Sequence, residues 1–327
     1  MKCTLVIKDE VNVQFKDVDP KTRRKLNAAV EYFLPQAQFM PSYRLGRWNG
    51  KVSFCDVAGR SYFQLLDRLL PIVVEAGYEV EIEDHRTPYD FDFDEVEQDS
   101  YDHVMWPKRH PNAGEPIILR DYQCRVINEF LKNPQSLAEV ATGAGKTLIT
   151  AVLSQKVEHL GRSMVIVPNK DLVTQTERDY INMGLDVGVY FGDRKEFGKT
   201  HTICTWQSLA VLEKATKKGE AVVPIDEFVS DVVLIMVDEV HKAKADVLRD
   251  QLSGMFRNVP LRWGLTGTVP KDEHEATGVT SALGPVIGSL SSKELQDMGV
   301  LAKLDINIFQ MKDCLLYTSD AADEVDR

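Results

Sequence analysis

Nothing in this sequence points to export, a bilayer or a disulfide scaffold. No apolar run approaches the roughly 20 residues that a membrane-spanning helix requires. Met1 is followed by neither a basic region nor an apolar stretch, so no export signal is expected. Cysteine is scarce. The five residues (Cys3, Cys55, Cys124, Cys204, Cys314) are odd in number and never form a CxxC pair. That spacing excludes a disulfide framework and a zinc ribbon, and it fits a reducing cytoplasm. A surplus of positive charge is missing too: the net charge of −11 excludes a protein that coats nucleic acid over its whole surface, though not one with a local basic track. There is no internal repeat and no nuclease constellation. What remains, 43% hydrophobic and 27% charged over 327 residues, is ordinary globular composition with length for two or three domains.

Residues 1–83 read as a small α/β accessory domain. Thr4 to Ile7 and Val11 to Phe15 are strand-like around the charged turn Lys8-Asp9-Glu10. Asp19-Pro20 marks a helix start, and Leu26, Ala29, Val30, Phe33 and Leu34 give one apolar stripe that Pro35 ends. A second helix is expected from Ser61 to Ala76, kinked or shortened by Pro71, with a strand from Tyr78 to Ile82. Lys21, Arg23, Arg24, Lys25, Arg44, Arg47 and Lys51 face only Glu31 as an opposing charge, and Phe39, Tyr43, Trp48 and Phe54 are interleaved among the later ones. Basic side chains neutralise phosphates and aromatic faces stack on bases, so Arg44, Arg47 and Trp48 are candidate nucleic-acid contacts. A solvated basic face over core aromatics is the plainer alternative. Residues 84–116, acidic at Asp90, Asp92, Asp94, Glu95 and Glu97 and then proline-rich, read as a solvated linker.

From Ile117 strands and helices alternate, as in a doubly wound, mostly parallel α/β sheet. Expected strands lie at Leu137 to Val140, Ser163 to Val167, Gly188 to Phe191, Thr202 to Thr205, Val232 to Val237, Leu261 to Leu265 and Leu304 to Phe309. Expected helices open at Arg120 and at Lys146-Thr147 and run from Leu172 to Tyr180 and Ser292 to Met298. The run Val232 to Val237 has no polar face, so both of its sides require cover.

Leu137-Ala-Glu-Val-Ala-Thr-Gly-Ala-Gly-Lys-Thr147 joins a buried strand to a helix through a tight loop. Such a loop aims several amides at one spot and adds the helix's positive end, which makes a phosphate cradle. Val140 stands where the strict motif has its first glycine. Lys146 is placed to reach β- and γ-phosphates, and Thr147 to meet Mg²⁺. Downstream, Asp238-Glu239 follows the buried strand. Asp238 suits the metal and Glu239 the attacking water.

In order, Arg120-Asp-Tyr-Gln123, Ala141-Thr-Gly-Ala-Gly-Lys-Thr147, Val165-Ile-Val-Pro-Asn-Lys-Asp-Leu-Val-Thr-Gln175, Thr205-Trp-Gln-Ser-Leu209, Asp238-Glu-Val-His241 and Gly264-Leu-Thr-Gly-Thr268 resemble the first-motor motifs of superfamily 2 helicases. Tyr43-Arg-Leu-Gly-Arg-Trp-Asn-Gly50 ahead of them is similar to the phage recombination helicases of that superfamily. The resemblance implies a RecA-like P-loop NTPase domain over residues 117–313, with ATP and Mg²⁺ as cofactors. Arg120, Tyr122 and Gln123 would meet adenine, and Thr142, Gly143, Ala144, Gly145, Lys146 and Thr147 the triphosphate. Thr147 and Asp238 would meet the metal, and Glu239 the water. His241, Thr266 and Thr268 would couple hydrolysis to movement, and Pro168, Gln175, Thr205 and Trp206 would touch the tracked strand. Trp206 as a core aromatic, Tyr122 as a packing residue and His241 as a surface imidazole are the plain alternatives.

The implied activity is that of an ATP-dependent DNA helicase or translocase, acting as a monomer on single-stranded or branched DNA, RNA–DNA hybrids included, with no membrane partner. The alternatives are the motor of a restriction or defence complex, an RNA helicase, or a non-catalytic DNA-binding assembly module. Residues 314–327 break in character and resemble adapter read-through, so a product truncated before a second motor domain, binding nucleotide weakly and hydrolysing it poorly, is expected.

Overall fold

A computed structural model of the chain describes residues 1–303 apart from Arg109, Pro111, Ala243 and Lys244. The strand expected at Leu304 to Phe309 and the tail 314–327 lie outside the described residues.

The first unit is built on a four-stranded sheet of order β5-β2-β1-β6. Strands β1 (Lys2–Ile7) and β2 (Asn12–Lys16) pair antiparallel across the charged turn. There the Asp9 carboxylate accepts from the amides of Val11 and Asn12 at 3.0 and 2.7 Å. Helix α1 (Pro20–Ala29) starts at Asp19, whose side chain accepts from the Lys21 and Thr22 amides. The stripe expected to carry this helix to Leu34 breaks at Val30. Glu31–Phe33 forms β3 and pairs with β4 (Lys51–Ser53), with the short helix α2 (Pro41–Arg44) between them. Val30, Tyr32 and Phe33 are residue types that favour extended backbone, and Phe33 is left 48% exposed. The helix expected from Ser61 is likewise shorter. Arg60–Tyr62 is β5 on the edge of the sheet, and α3 (Leu66–Glu75) begins only after a 3-10 turn, then runs through Pro71. Strand β6 (Glu79–Asp84) closes the unit parallel to β1.

The second unit is an eight-stranded sheet of order β10-β9-β11-β8-β12-β13-β7-β14. After α4 (Asp121–Lys132), its elements are β7 (Gln135–Val140), α5 (Lys146–Val157), β8 (Arg162–Val167), α6 (Lys170–Asn182), β9 (Val187–Phe191), β10 (Arg194–Lys195) and β11 (His201–Thr205). They continue with α7 (Trp206–Lys218), α8 (Ile225–Phe228), β12 (Val232–Asp238), α9 (Ala245–Ser253), β13 (Leu261–Thr266), α10 (Glu273–Leu283), β14 (Val286–Leu290) and α11 (Ser292–Asp297). All neighbours are parallel except β9 and β10. In β12 alternate side chains part to opposite faces: Leu234 and Met236 join one core with α4, α5 and α6, and Ile235 and Val237 the other with α7, α9 and α10. Both sides of the uninterrupted run are covered, as its composition requires. No helix among the described residues is long and apolar enough to cross a membrane.

The stretch 84–116 corrects the reading of a solvated linker. After Asp84, the last residue of β6, its described residues form no helix or strand, but Val96 and Tyr101 are buried in the α4–α6 core, with Phe91, Phe93, Val104 and Trp106 packed against it. The charges alternate with these residues and stay outside. Asn128 fastens the segment, donating to the Val96 carbonyl and accepting from its amide at 2.9 and 2.8 Å. The two units also touch directly: Asn12 donates to the Ser253 carbonyl at 2.9 Å, Gln64 to Gln135 at 2.8 Å, and Thr277 to the Tyr32 hydroxyl at 3.0 Å.

Arg262 explains how the α9 and α10 ends are held. It is fully buried on β13 and donates to the carbonyls of Leu252, Phe256 and Ala282 at 2.8, 2.6 and 2.7 Å. Two of these carbonyls lie at helix C-terminal ends, where a cation is favoured.

Candidate nucleotide site

The phosphate loop falls between β7 and α5, at the carboxyl end of the parallel strands. Gly143 and Gly145 have φ of +88° and +83°, a region that a side chain disfavours. A Cβ on Gly145 would lie 2.6 Å from Gln123 Nε2, and one on Gly143 2.7 Å from the Leu301 side chain. No side chain caps α5, which leaves its first amides to an anion. The loop is braced from behind. Tyr122 Oη and Gln123 Nε2 both donate to the Ala144 carbonyl at 3.1 Å, and Arg120 donates to the Tyr122 hydroxyl at 2.9 Å. Gln123 Oε1 accepts from the Arg120 amide at 3.0 Å. Arg120, Tyr122 and Gln123, which the resemblance sets beside adenine, thus brace the loop, and Arg120 and Gln123 also line the cavity beside it.

The end of β12 brings the acids to the same place. Lys146 Nζ donates to Glu239 Oε1 at 2.6 Å, with both side chains less than a tenth exposed. His241 Nδ1 lies 3.4 Å from Glu239 Oε2 and 2.7 Å from Thr266 Oγ1. The Thr266 hydroxyl donates to the Thr268 carbonyl at 2.8 Å, so its one proton is committed and His241 Nδ1 is the donor to it. A Cβ on Gly267, between the two threonines, would lie 3.5 Å from Thr142 Oγ1 and 3.9 Å from both Lys146 Nζ and Glu239 Oε2. Lys146, Glu239, His241, Thr266 and Thr268 therefore form one connected cluster drawn from motifs far apart in the chain.

The electrostatics follow from burial and neighbours. Burial pushes the Asp238 carboxyl up to about 6, with Lys146 opposing that rise and Glu239 adding to it. Burial acts the same way on Glu239, but the Lys146 bond and charge outweigh it, helped by the Gly267 amide and His241, so it stays below its ordinary value. Glu239 also has φ +51°, an uncommon conformation for a residue with a long side chain. Its Oε2 is buried with no hydrogen-bond partner among the described residues. A divalent cation with a polyphosphate fits this donor set: a hard carboxylate at Asp238, the Thr147 hydroxyl, an ammonium, and glycines that admit close backbone approach.

A cavity of about 430 Å³ opens beside the loop. Gly143, Ala144, Gly145 and Thr147 line it, together with Gln175, Asp179 and Asn182 of α6. Gln175, assigned from sequence to the tracked strand, thus lies on the cavity of the phosphate loop. The remaining strand candidates do not line it. Pro168 follows β8 half-buried, and the Thr205 hydroxyl caps α7 by accepting from the Ser208 amide at 3.3 Å. Trp206 packs against the α7–α9 core, and its carbonyl accepts from Gln251. Arg44, Arg47 and Trp48 stand on the first unit, Trp48 donating to the Lys51 carbonyl at 2.9 Å, among exposed Phe39 (68%) and Leu45 (65%). Phe54 is core. The cavity has a further wall that sequence reasoning missed, with Trp106 and His110 from the stretch read as linker. Its one sequence signal is a tryptophan within the proline-rich segment, just upstream of the Arg120 helix.

Comparison with known proteins agrees with this geometry. Residues 116–271 match the family model described as the res subunit of type III restriction enzymes. The ATP-dependent DNA helicase UvsW of Enterobacteria phage T4 is 22% identical over 302 residues, covering 89% of this chain and 57% of UvsW. The crystal structure of the UvsW helicase from bacteriophage T4 superposes with a TM-score of 0.67 at 19% identity, covering 88% of this chain and 100% of that one. This chain resembles the superfamily 2 DNA helicases of the UvsW type. The DNA 3'-5' translocase XPB2 of Sulfurisphaera tokodaii is 27% identical over 202 residues, 62% of this chain and 41% of XPB2. The chain thus spans about half the length of these relatives. The likeness to UvsW extends through both sheets, and the α/β, RecA-like fold of the second unit is the one its motifs imply.

Proposed function

We propose that this chain is the accessory unit and first motor domain of an ATP-dependent DNA helicase or translocase that acts on branched DNA such as forks, R-loops and recombination intermediates. The observation that carries the reading is the buried Lys146–Glu239 pair beside Asp238, at the end of the phosphate loop. Residues 117–313 form the motor in this proposal, and residues 1–83 contact DNA through Arg44, Arg47 and Trp48. Pro168, Thr205 and Trp206 belong to the surface facing the tracked strand, largely through backbone and helix-end groups.

Bound Mg²⁺, met by Thr147 and Asp238, would neutralise charge on the phosphate oxygens. Lys146 exchanges its Glu239 partner for phosphate oxygens when nucleotide enters, which frees Glu239 Oε1. Glu239 is ionised at neutral pH, and its unpartnered Oε2 is placed to orient water and take its proton. His241 ties this carboxylate to Thr266 and Thr268, so a change at Glu239 reaches the segment leading into α10. Relatives named as helicases and translocases support movement on DNA for the whole protein. A monomer in the cytoplasm is part of the proposal.

The test is saturable binding of labelled ATP with magnesium to this chain, compared with Lys146→Ala, with and without forked DNA. Binding abolished by Lys146→Ala is expected. Equal uptake by both proteins, or none by a folded wild type, overturns the reading. The restriction-enzyme description of the matched family model favours a second reading, the motor of a restriction complex, which cleavage of the DNA during turnover would reveal.

A further inference from the structure

We infer that Tyr32 is the joint through which the nucleotide site positions the arm at residues 34–50, so that nucleotide occupancy sets the affinity of Arg44, Arg47 and Trp48 for DNA. The inference rests on the nucleotide and DNA readings above and adds the link between them. That link starts where the cluster at Glu239 ends. A short segment, Val269 to Asp272, joins Thr268 to α10, and the Asp272 side chain caps the helix by accepting from the His274 amide at 3.0 Å. The two ends of α10 are held differently. At its C-terminal end Arg262 grips the Ala282 carbonyl at 2.7 Å, and a Cβ on Gly284 would lie 2.2 Å from the Gln135 carbonyl oxygen of β7. At its N-terminal end His274 is buried, yet its Nε2 has no hydrogen-bond partner among the described residues. The imidazole meets rings of the first unit instead, with centroids 5.4 Å from Phe54 and 6.5 Å from Tyr32. Such non-directional contacts slide more readily than a hydrogen bond of set geometry. A displacement of the Thr266–Thr268 segment therefore turns α10 about its fixed end and is felt at His274 and Thr277.

Tyr32 receives that movement. Its hydroxyl accepts from Thr277 Oγ1 at 3.0 Å and from Arg68 Nη1 at 2.5 Å. It stands on β3, and β3 and β4 form a two-stranded ribbon separate from the four-stranded sheet. That sheet is fastened to the motor by Asn12 at the Ser253 carbonyl, whereas the ribbon meets the motor through Tyr32. The ribbon in turn fixes the arm. The Leu34 amide donates to the Gly50 carbonyl at 2.9 Å, Trp48 donates to the Lys51 carbonyl at 2.9 Å, and the Phe33 and Tyr43 rings pack edge to face at 5.9 Å. Residues 32–55 hold Arg44, Arg47 and Lys51 and no acid, in a chain of net charge −11. A tilt of the ribbon thus carries a patch of uncompensated positive charge toward or away from a phosphate backbone.

The experiment separates positioning from support. Thr277→Val removes the donor on the motor side and leaves Tyr32 its Arg68 partner, Tyr32→Phe breaks the same bond from the other side, and Thr277→Ser keeps the hydroxyl. Forked-DNA affinity of the full chain and these variants is measured without nucleotide and with Mg²⁺·AMP-PNP, a non-hydrolysable ATP analogue. Nucleotide is expected to change the fork affinity of the wild type by at least about five-fold, and by linkage fork DNA changes nucleotide affinity by the same factor. Thr277→Val and Tyr32→Phe are expected to lose most of that factor, with nucleotide-free fork affinity and DNA-free nucleotide affinity at wild-type values. Thr277→Ser is expected to retain it, and Arg44→Glu with Arg47→Glu to abolish it. An unchanged factor in Thr277→Val overturns the inference, as does an equal loss of fork affinity with and without nucleotide, which marks the contact as a structural support alone. A factor that survives charge reversal at Arg44 and Arg47 overturns it too, because the arm is then not the receiver. A wild type that binds nucleotide and fork independently overturns it while sparing both readings. A folded wild type that binds no nucleotide overturns the nucleotide reading and this inference together.

Discussion

Replacing Asp238 with asparagine should make the protein more stable at neutral pH, although it should remove a group proposed to meet magnesium. The carboxyl titrates near 6 in the fold against 3.8 as its ordinary value. The folded form therefore holds this proton more tightly than the unfolded chain. Between those two pH values stability falls as pH rises, and above 6 the full cost of a buried negative charge is present. At about 1.36 kcal/mol per pH unit the gap caps that cost at about 3 kcal/mol, and partial access to water at the strand end lowers it toward about 1 kcal/mol. Asparagine keeps an oxygen for the Glu239 amide, which donates to Asp238 at 2.9 Å, so the change removes charge and little else. At about 2.1 cal/mol/K of unfolding entropy per residue, a gain of this size raises Tm by roughly 2 to 4 °C. The assay is thermal unfolding of both proteins at pH 7.5 and pH 4. The variant should melt higher at pH 7.5, and most of that advantage should vanish at pH 4. Added Mg²⁺·ATP should stabilise the wild type and not the variant. A variant that is less stable at pH 7.5, or whose difference from wild type does not change with pH, refutes the reasoning.

Lys146→Ala leaves a buried Glu239 carboxylate without its cation and should cost about 3 to 5 kcal/mol in urea unfolding; adding Glu239→Gln should recover a large part of that cost, and simple additivity would count against the pair. Gly145→Ala puts a Cβ 2.6 Å from Gln123 Nε2 at φ +83°, so it should weaken ATP binding in calorimetry by at least ten-fold and lower stability by about 1 to 2 kcal/mol. Arg262→Met strips three main-chain carbonyls of their buried donor and should cost at least about 3 kcal/mol, read as a lower urea midpoint. Charge reversal at Arg44 and Arg47 should weaken forked-DNA binding and flatten its salt dependence by roughly one unit of log–log slope for each phosphate no longer neutralised; an unchanged slope would remove both from the DNA surface.

What the sequence made legible was chemistry confined to a few consecutive residues. The phosphate loop, the buried run ending in Asp238-Glu239 and the Asp19 cap depend on local spacing, and each stands where its residues predict. The helix expected through Leu34 was misjudged because an apolar stripe at helical spacing can also be met by a short strand when its partner, Lys51–Ser53, lies far along the chain. The stretch 84–116 was misjudged for a related reason: composition averages over Asp90, Asp92 and Asp94 and hides Val96 and Tyr101, whose burial depends on a surface that α4 and α5 supply. Elements such as α7, α9, α10 and β14 carried too mixed a pattern to separate from loop.

The local choices that cost stability are gathered rather than scattered. Among the described residues, Glu239 holds a left-handed backbone and a buried oxygen with no hydrogen-bond partner, Asp238 carries a charge that burial opposes, and α5 starts without a side-chain cap. Each would be selected against in a purely structural position. They meet at the end of one strand and one loop, and elsewhere Asp17 and Asp231, the other non-glycine residues at positive φ among those described, are of a type that tolerates it. A bound cation and polyphosphate would offset several of these costs at once by supplying charge to Asp238, a competitor for Lys146 and an anion for the α5 amides. Strain of this kind, concentrated where a single ligand could relieve it, is what distinguishes a working phosphate site from a glycine turn before an ordinary helix.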